Sequence, residues 1–482
     1  MNYSIVRFIL GRTLLIEAAL LCAPLLIAII YQEGIADIGA FLITIVVVFA
    51  IGALMSFRRP KVSDFYAREG FMMVTLTWFL LSLFGAMPFL ISGSIASPVD
   101  AFFETVSGFT TTGASILNDV EVLSRSMLFW RSLTHLIGGM GVLVFALAIL
   151  PKVESEAVHI MRAEVPGPTF GKLMARVSQT ARILYKIYLV MTGVLILVLI
   201  VFGMPVYDSF IHAFGAAGTG GFSIYNASIA HYGKPALEII LGIAMLLFGV
   251  NFYLYYLIML RQVKTALKNE ELRWFFSIVA AAVIMISLIV LPSYENIATA
   301  FRDVFFTVSS LISTTGYVTV DFANWPMSAH VILLFLMFCG SMAGSTGGGI
   351  KVSRIAIIVK TVFQDIRHAI SPNRRIVVTF ENKPLSSSLQ QSVSVYFMTY
   401  IIFFAFCLLT VSFDSPTFIT AFSAVAATFN NIGPGMDAVG PTSNYSDFSN
   451  WTKMVLSLAM VAGRLEIYPV LVLLSPKTWR KL

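Results

Sequence analysis

Apolar and polar positions along this chain alternate on the scale of whole helices. Long apolar blocks fall at about 14–31, 39–57, 71–93, 127–150, 183–203, 236–260, 274–291, 329–361, 391–411 and 452–475. A block of roughly 18 or more such residues is long enough to cross a hydrocarbon core as a helix. The pattern therefore predicts ten spanning helices. Four shorter apolar stretches lie between spans, near 100–112, 208–220, 303–315 and 420–432. They are too short to cross, and are read as loops or half-crossing helices.

Aligned on one glycine, the short stretches read AFFETVSGFTTTG (101–113), SFIHAFGAAGTGG (209–221), VFFTVSSLISTTG (304–316) and AFSAVAATFNNIG (421–433). Each starts with a small or β-branched residue followed by Phe102, Phe210, Phe305 or Phe422, and each ends at Gly113, Gly221, Gly316 or Gly433. Thr111, Thr219 and Thr314 stand two before the glycine, with Asn431 in the fourth. The glycines are 108, 95 and 117 residues apart, each between two spans. The repeating unit is span, half-helix, glycine loop, span, four times over. One such loop reads equally as a tight turn; four in one register predict a shared structure.

Non-helical backbone at membrane depth is tolerated only where it is buried in protein or lines a watery cavity. Four loops meeting on one axis can replace a cation's hydration shell with carbonyl oxygens. Glycine allows the turned-in backbone, and the partly negative C-terminus of each short helix favours a cation. The Thr and Asn positions offer further oxygens.

Charge adds an orientation. With the N-terminus inside, the segments 1–13, 58–70, 151–186, 261–273, 351–390 and 476–482 hold 26 of the 32 basic residues. This bias predicts ten spans with both termini cytoplasmic. The net charge of +7 then reflects topology and anionic lipid, not nucleic acid. Outer segments lean acidic, which reads either as cation enrichment or as plain solvation. With 58% hydrophobic and 12% charged residues, an ordinary soluble protein is excluded. Cys22, Cys339 and Cys407 lie in apolar spans at no disulfide or metal spacing, and read as packing residues. The first block is long, contains Glu17 and lacks a clean cleavage site, so it is expected to be a retained helix and not a signal peptide.

The four-loop repeat, with GSMAGSTGGGIKVSRI (340–355) and AGRLEIYPVL (462–471), resembles the Trk/Ktr/HKT superfamily of potassium transporters, and its bacterial TrkH/TrkG branch by length and layout. The resemblance implies an all-α integral membrane protein with ten transmembrane helices, its four span–pore-helix–loop–span repeats surrounding one potassium-channel-like pore. The divisions are 1–70 for two extra N-terminal helices, then repeats at 71–150, 151–272, 273–390 and 391–482. It further implies potassium as the ion, a homodimer in the bacterial inner membrane, and a cytosolic ring of nucleotide-binding, TrkA-type regulatory subunits. The filter would comprise Thr111, Thr112 and Gly113; Thr219, Gly220 and Gly221; Thr314, Thr315 and Gly316; and Asn431, Ile432 and Gly433. The departures at Gly220 and at Asn431–Ile432 break the four-fold chemistry, so potassium preference without strong discrimination is expected.

The eighth span carries five glycines in 340–349, which would cost a helix several kcal/mol at about 1 kcal/mol each, so a break is expected there. In the resembling family this segment, here Gly344, Ser345, Thr346, Gly347, Gly348 and Gly349, is a loop that plugs the pore below the filter. A GxxxG helix contact at Gly340 and Gly344, or a passive hinge, are the competing readings. A phosphate loop is excluded because Lys351 is displaced by one residue and no strand precedes it. Lys351 and Arg354 are expected just inside, within reach of a cytosolic partner. Arg464 is the only basic residue deep in a span, and the resemblance places it facing the pore; a buried structural ion pair is the alternative. Glu466, two residues on, is not expected to pair with it. Glu17 is expected against Arg12 or a polar neighbour, and His135 and His212 as satisfied structural histidines.

The leading expectation is gated, channel-like potassium uptake with no catalytic constellation. A symporter coupling potassium to sodium or protons is the alternative. A membrane-embedded transferase would need paired acids, a nucleophile–base pair or metal ligands, and the sequence offers none.

Overall fold

The described parts of the apolar blocks fold largely as helices in the computed structural model, which describes residues 3–58, 60, 67–141, 177–373 and 377–479. Among these, six helices are long and apolar enough to cross a membrane: Tyr3–Ile30, Ile35–Ser56, Arg68–Ser92, Ala181–Val201, Glu270–Ser293 and Ser387–Ser412. A seventh is counted if Pro235–Phe248 and Phe252–Met259, bent by 90° at a short break, are taken together. The first helix starts at Tyr3, well before the predicted 14, because Ile5, Val6, Ile9 and Leu10 are buried against the rest of the protein. Its partner, Ile35–Ser56, approaches so closely that a Cβ on Gly11 would lie 2.8 Å from the Gly52 carbonyl oxygen. Small residues let helix backbones meet in this way in lipid.

The four short stretches are helices: Pro98–Phe109, Val206–Gly218, Ile297–Ile312 and Phe418–Phe429. Ser97, Asn296 and Thr417 cap three of them by accepting a hydrogen bond from a first-turn N–H. All four are largely buried, as Val106, Phe109, Ile211, Val308 and Val425 illustrate.

The departure from ten continuous spans has one physical cause. Among the described residues, the helix that follows the short helix and its glycine loop is interrupted in the second, third and fourth repeats and ends early in the first. Arg125–Gly139 ends at a glycine pair, and the rest of the predicted 127–150 block lies outside the described residues from 142. Pro235–Phe248 stops at Gly249, and Asn251 caps the next segment with its side chain. Met327–Cys339 and Val352–Ile370 are separated by the predicted glycine-rich break. Asn450–Arg464 gives way to Tyr468–Leu474 through Glu466 and Ile467, both at positive φ (58° and 69°). Sequence reasoning expected only the third of these breaks.

The protein is not purely helical. A two-stranded antiparallel hairpin pairs Thr379 with Pro384 and Phe380 with Lys383, on the segment between Val352–Ile370 and Ser387–Ser412. Cys339 and Cys407 are buried as expected, whereas Cys22 is exposed on an apolar helix.

Candidate functional site

Each short helix ends in the same way. Thr111, Thr219, Thr314 and Asn431 adopt φ of 55°, 56°, 60° and 56°, and their N–H groups bond the carbonyls three residues back. The N–H groups of Thr112, Gly220, Thr315 and Ile432 bond the carbonyls of Ser107, Gly215, Ser310 and Ala427, each at 2.8 Å. This double closure is a Schellman C-cap. A left-handed turn suits Asn but is unusual for β-branched Thr, so three of the four ends are held in a conformation their side chains disfavour. Two residues on, Gly113, Gly221, Gly316 and Gly433 are again left-handed, at 80°, 75°, 82° and 94°.

These glycines close a ring. A Cβ on Gly113 would meet the Gly220 carbonyl oxygen at 2.0 Å, one on Gly221 the Thr315 oxygen at 2.0 Å, and one on Gly316 the Ile432 oxygen at 2.0 Å. A Cβ on Gly433 would meet the Thr112 oxygen at 2.7 Å, which returns the chain of contacts to its start. All four glycines line a single cavity of about 150 Å³, whose wall also includes Ser115, Asn118, Ser223, Asn226 and Tyr445. The predicted triplets are thus brought together around one centre.

Their side chains divide into two groups. The Thr112 hydroxyl bonds Thr110 Oγ1 (2.8 Å) and accepts from Asn431 Nδ2 (2.9 Å), and Thr315 bonds Ser313 Oγ (2.7 Å). Thr219 Oγ1 donates to the Gly218 carbonyl (2.6 Å). By contrast, Thr111 Oγ1 and Asn431 Oδ1 are buried with no hydrogen-bond partner among the described residues. The Asn431 amide is turned to the following helix, its Nδ2 also donating to the Met460 carbonyl (2.9 Å).

Beside the first and second loops stands a buried pair that sequence reasoning missed, its Arg131 lining the same cavity as the four glycines. Arg131 Nε donates to Glu104 Oε1 (2.5 Å) and its Nη1 to the Ser223 carbonyl (3.1 Å), while Glu104 also accepts from Ser115 Oγ and the Ile116 N–H. The Arg131 guanidinium lies 3.6 Å from the Phe222 ring centroid. The signal was an acid in the first short helix and an arginine near the start of the apolar block that follows it. On the exposed surface, hydrogen bonds from Thr417 and Thr420 hold the Asp437 carboxyl below its ordinary value, and the Asn226 side chain does the same for Asp119. Both stay ionised at neutral pH.

Beneath the ring lies the glycine-rich segment. Gly348 N–H donates to Thr314 Oγ1 (2.7 Å), a Cβ on Gly347 would meet the Ser313 carbonyl at 2.7 Å, and one on Gly348 the Asn430 carbonyl at 2.2 Å. Met342 N–H bonds the Gly249 carbonyl, Gly344 accepts from Phe252 N–H, and Thr346 Oγ1 donates to the Phe248 carbonyl (3.2 Å). Ser345 Oγ donates to the Met342 carbonyl, and a Cβ on Gly349 would meet Gly340 Cα at 2.6 Å. Arg464 spans the gap, donating to the carbonyls of Thr346 (2.6 Å), Gly138 (2.5 Å) and Gly139 (2.6 Å). It is therefore held by carbonyls, and Glu466 is engaged elsewhere, with Arg354 (2.6 and 2.9 Å).

Several expectations are corrected here. Lys351 and Arg354 are not exposed to the cytosol: both are buried, Lys351 Nζ bonding the Gly347 carbonyl and Arg354 lying 4.0 Å from the Tyr396 ring centroid. Arg464 is only partly buried, whereas Arg131, Lys351, Arg354 and Lys453 are buried within the protein. Glu17 is buried, and neither its oxygens nor Arg12 Nε has a hydrogen-bond partner among the described residues. His212 is satisfied by the Asp208 carbonyl (2.8 Å) and Ser223 Oγ (3.1 Å), but both ring nitrogens of the buried His135 lack partners. Glu271, read as part of an inner loop, accepts N–H bonds from Ala343 (2.8 Å) and Ser353 (3.0 Å) at the two ends of the glycine-rich segment.

Fold and site together define a polytopic, helical membrane transport protein. Residues 38–481 match the family model described as "TrkH: Cation transport protein", and the chain belongs to that family. It is 34% identical to the Trk system potassium uptake protein TrkH of Salmonella typhimurium and 33% identical to TrkG of Escherichia coli K12, covering 100% of each chain in both cases. It matches the crystal structure of the potassium transporter TrkH from Vibrio parahaemolyticus with a TM-score of 0.89 at 33% identity, over 100% of both chains.

Proposed function

We propose that this protein takes up potassium as the membrane subunit of a Trk-type system, through a gated, channel-like pore. The four triplets ending at Gly113, Gly221, Gly316 and Gly433 serve as the selectivity filter, and residues 344–349 with Arg464 as the gate beneath it. The observation that carries this reading is the closed ring, in which each glycine leaves no room for a Cβ against the next loop's carbonyl oxygen. Backbone so placed has carbonyls to offer a desolvated alkali cation. The four short helices add their partly negative C-termini.

On this reading the chain crosses the bacterial inner membrane ten times with both termini in the cytoplasm, the interrupted helices counting as crossings. Residues 1–70 precede the four repeats at 71–150, 151–272, 273–390 and 391–482. It works as a homodimer beneath which nucleotide-binding, TrkA-type subunits dock. The names of its relatives, as potassium uptake proteins of Trk systems, support the ion and the system.

Ion flux into proteoliposomes tests the filter. Potassium and rubidium are expected to lead sodium and lithium for the native protein, and the ranking to flatten for Gly316→Ser. An unchanged ranking in folded Gly316→Ser protein rules the filter out. Uptake at carrier rates with obligatory sodium or proton movement replaces the channel with the symporter.

A further inference from the structure

In three of the four loops the residue before the ring glycine has a side chain: Thr112, Thr315 and Ile432, all buried. The second loop has Gly220 there. Its backbone does not require glycine, because Gly220 is absent from the positions with positive φ. What excludes a side chain is His135, from the helix Arg125–Gly139. A Cβ on Gly220 would lie 2.5 Å from both Cγ and Nδ1 of the imidazole. The ring also stacks on Phe222, two residues on, at 4.2 Å between centroids and 20° between planes. One side chain therefore backs the loop on both sides of Gly221.

His135 is fully buried, and its nitrogens have no hydrogen-bond partners among the described residues. An imidazole so placed contributes volume and a flat face, because a buried polar group without partners is otherwise a cost. Its main-chain carbonyl is equally close, 2.2 Å from where a Cβ on Gly218 would be.

We infer that His135 is a positioning residue for the ion filter: it stands in, from a neighbouring helix, for the side chain that Gly220 lacks. The inference rests on the filter reading above. The second loop is then not a weakened copy of the others. Its backing is supplied in trans by another helix, and His135 and Gly220 form one unit that changes together or not at all.

A double-mutant cycle tests this in proteoliposomes, with the potassium-to-sodium uptake ratio and the thermal midpoint of the purified protein as readouts. Gly220→Thr alone overlaps the ring, and His135→Ala alone leaves the loop unbacked. Each is expected to lower the ratio about tenfold, the scale of coupling between side chains in contact. The double variant His135→Ala/Gly220→Thr restores the pattern of the first and third loops and is expected to recover most of the ratio. A double variant no better than the worse single overturns the inference, as does a native ratio for His135→Ala.

If His135→Ala does not fold, His135→Leu keeps the volume without nitrogens. Rescue of the ratio by His135→Leu supports the backing role, and a tenfold loss there overturns it. Gly316→Ser separates the two levels of the argument. A shifted ranking there with an additive His135 cycle defeats only the inference. Coupling in the thermal midpoint, with no ion ratio moved by any variant including Gly316→Ser, defeats the filter reading instead.

Discussion

The two sides of the glycine ring are built on opposite plans. Above and within it, four chain segments of different sequence adopt one backbone: the same left-handed turn at Thr111, Thr219, Thr314 and Asn431, the same closing hydrogen bonds and the same left-handed glycine two residues later. Below it, three of the helices that follow the loops break at the matching place, by unequal lengths, and Arg125–Gly139 ends there. Three residues separate Phe248 from Phe252, three separate Arg464 from Tyr468, and twelve separate Cys339 from Val352. The twelve-residue break carries five glycines and is pressed against the ring at Ser313 and Asn430. On the filter reading, an ion on the axis would meet each of the four loops alike, so their main chains must agree whatever their side chains. A gate needs only one element that moves, so the others are free to differ.

The largest effect should come from breaking the side that is alike. Gly113→Ala, Gly221→Ala and Gly316→Ala each place a methyl group 2.0 Å from a neighbouring backbone oxygen, at a φ that L residues resist. The left-handed conformation alone costs roughly 1–2 kcal/mol, and backbone cannot swing aside as a side chain can. Potassium uptake in a strain dependent on this protein is expected to fall by about tenfold or more for each. Gly433→Ala meets its oxygen at 2.7 Å and should be the mildest of the four. Equal tolerance at all four positions would mean that the loops do not close on one another.

The side that differs should respond in the opposite direction. Arg464 joins Thr346 on the long break to Gly138 and Gly139 on the helix Arg125–Gly139, with three carbonyl acceptors and a forked cation. Charge-assisted hydrogen bonds of this kind contribute roughly 1.5–3 kcal/mol each. Arg464→Ala is expected to raise basal potassium flux several-fold in proteoliposomes without cytosolic subunits. Arg464→Lys should restore little, since a point charge cannot reach acceptors on the break and on the helix together. Lower flux in folded Arg464→Ala protein would remove the segment from the gating role.

How far this arrangement can be read in sequence follows from the same contrast. The four loops were legible because their backbone demands leave a residue-level trace: a glycine at fixed distance from a Phe, with Thr or Asn two before it. The twelve-residue break was legible because five glycines in ten residues cannot sustain a helix. The breaks at Gly249–Asn251 and Glu466–Ile467 were not, since one glycine, or a strained Ile at φ 69° stabilised by its surroundings, leaves hydropathy intact. The placement of Arg131, Lys351 and Arg354 was also hidden. Arg131 and Arg354 pair with Glu104 and Glu466 on other segments, and pairing between segments has no local signature, while Lys351 folds back onto the Gly347 carbonyl four residues before it.

The smallest expected effect concerns Glu271, and it sharpens where the moving element is held. One carboxylate oxygen of Glu271 accepts the N–H groups of both Ala343 and Ser353, so it ties together the two ends of the long break. Its helix begins under a second acid: Glu381, in the turn of the hairpin, accepts from Asn269 Nδ2 and the Glu270 N–H, while Glu270 pairs with Lys360. A path of hydrogen bonds thus runs from a surface hairpin to the glycine-rich segment. Glu271→Ala leaves two buried N–H groups unpaired, each at a cost of roughly 1–3 kcal/mol. The cost falls on the ends of the segment and not on its contact with Thr314, so basal flux should rise less than in Arg464→Ala, by about two- to fivefold. Glu271→Gln keeps the accepting oxygen and should stay near the native level, because neither bond depends on the charge alone. If Gln and Ala raise flux equally, the negative charge and not the two hydrogen bonds holds the segment, and the hairpin has no lever on it through this residue.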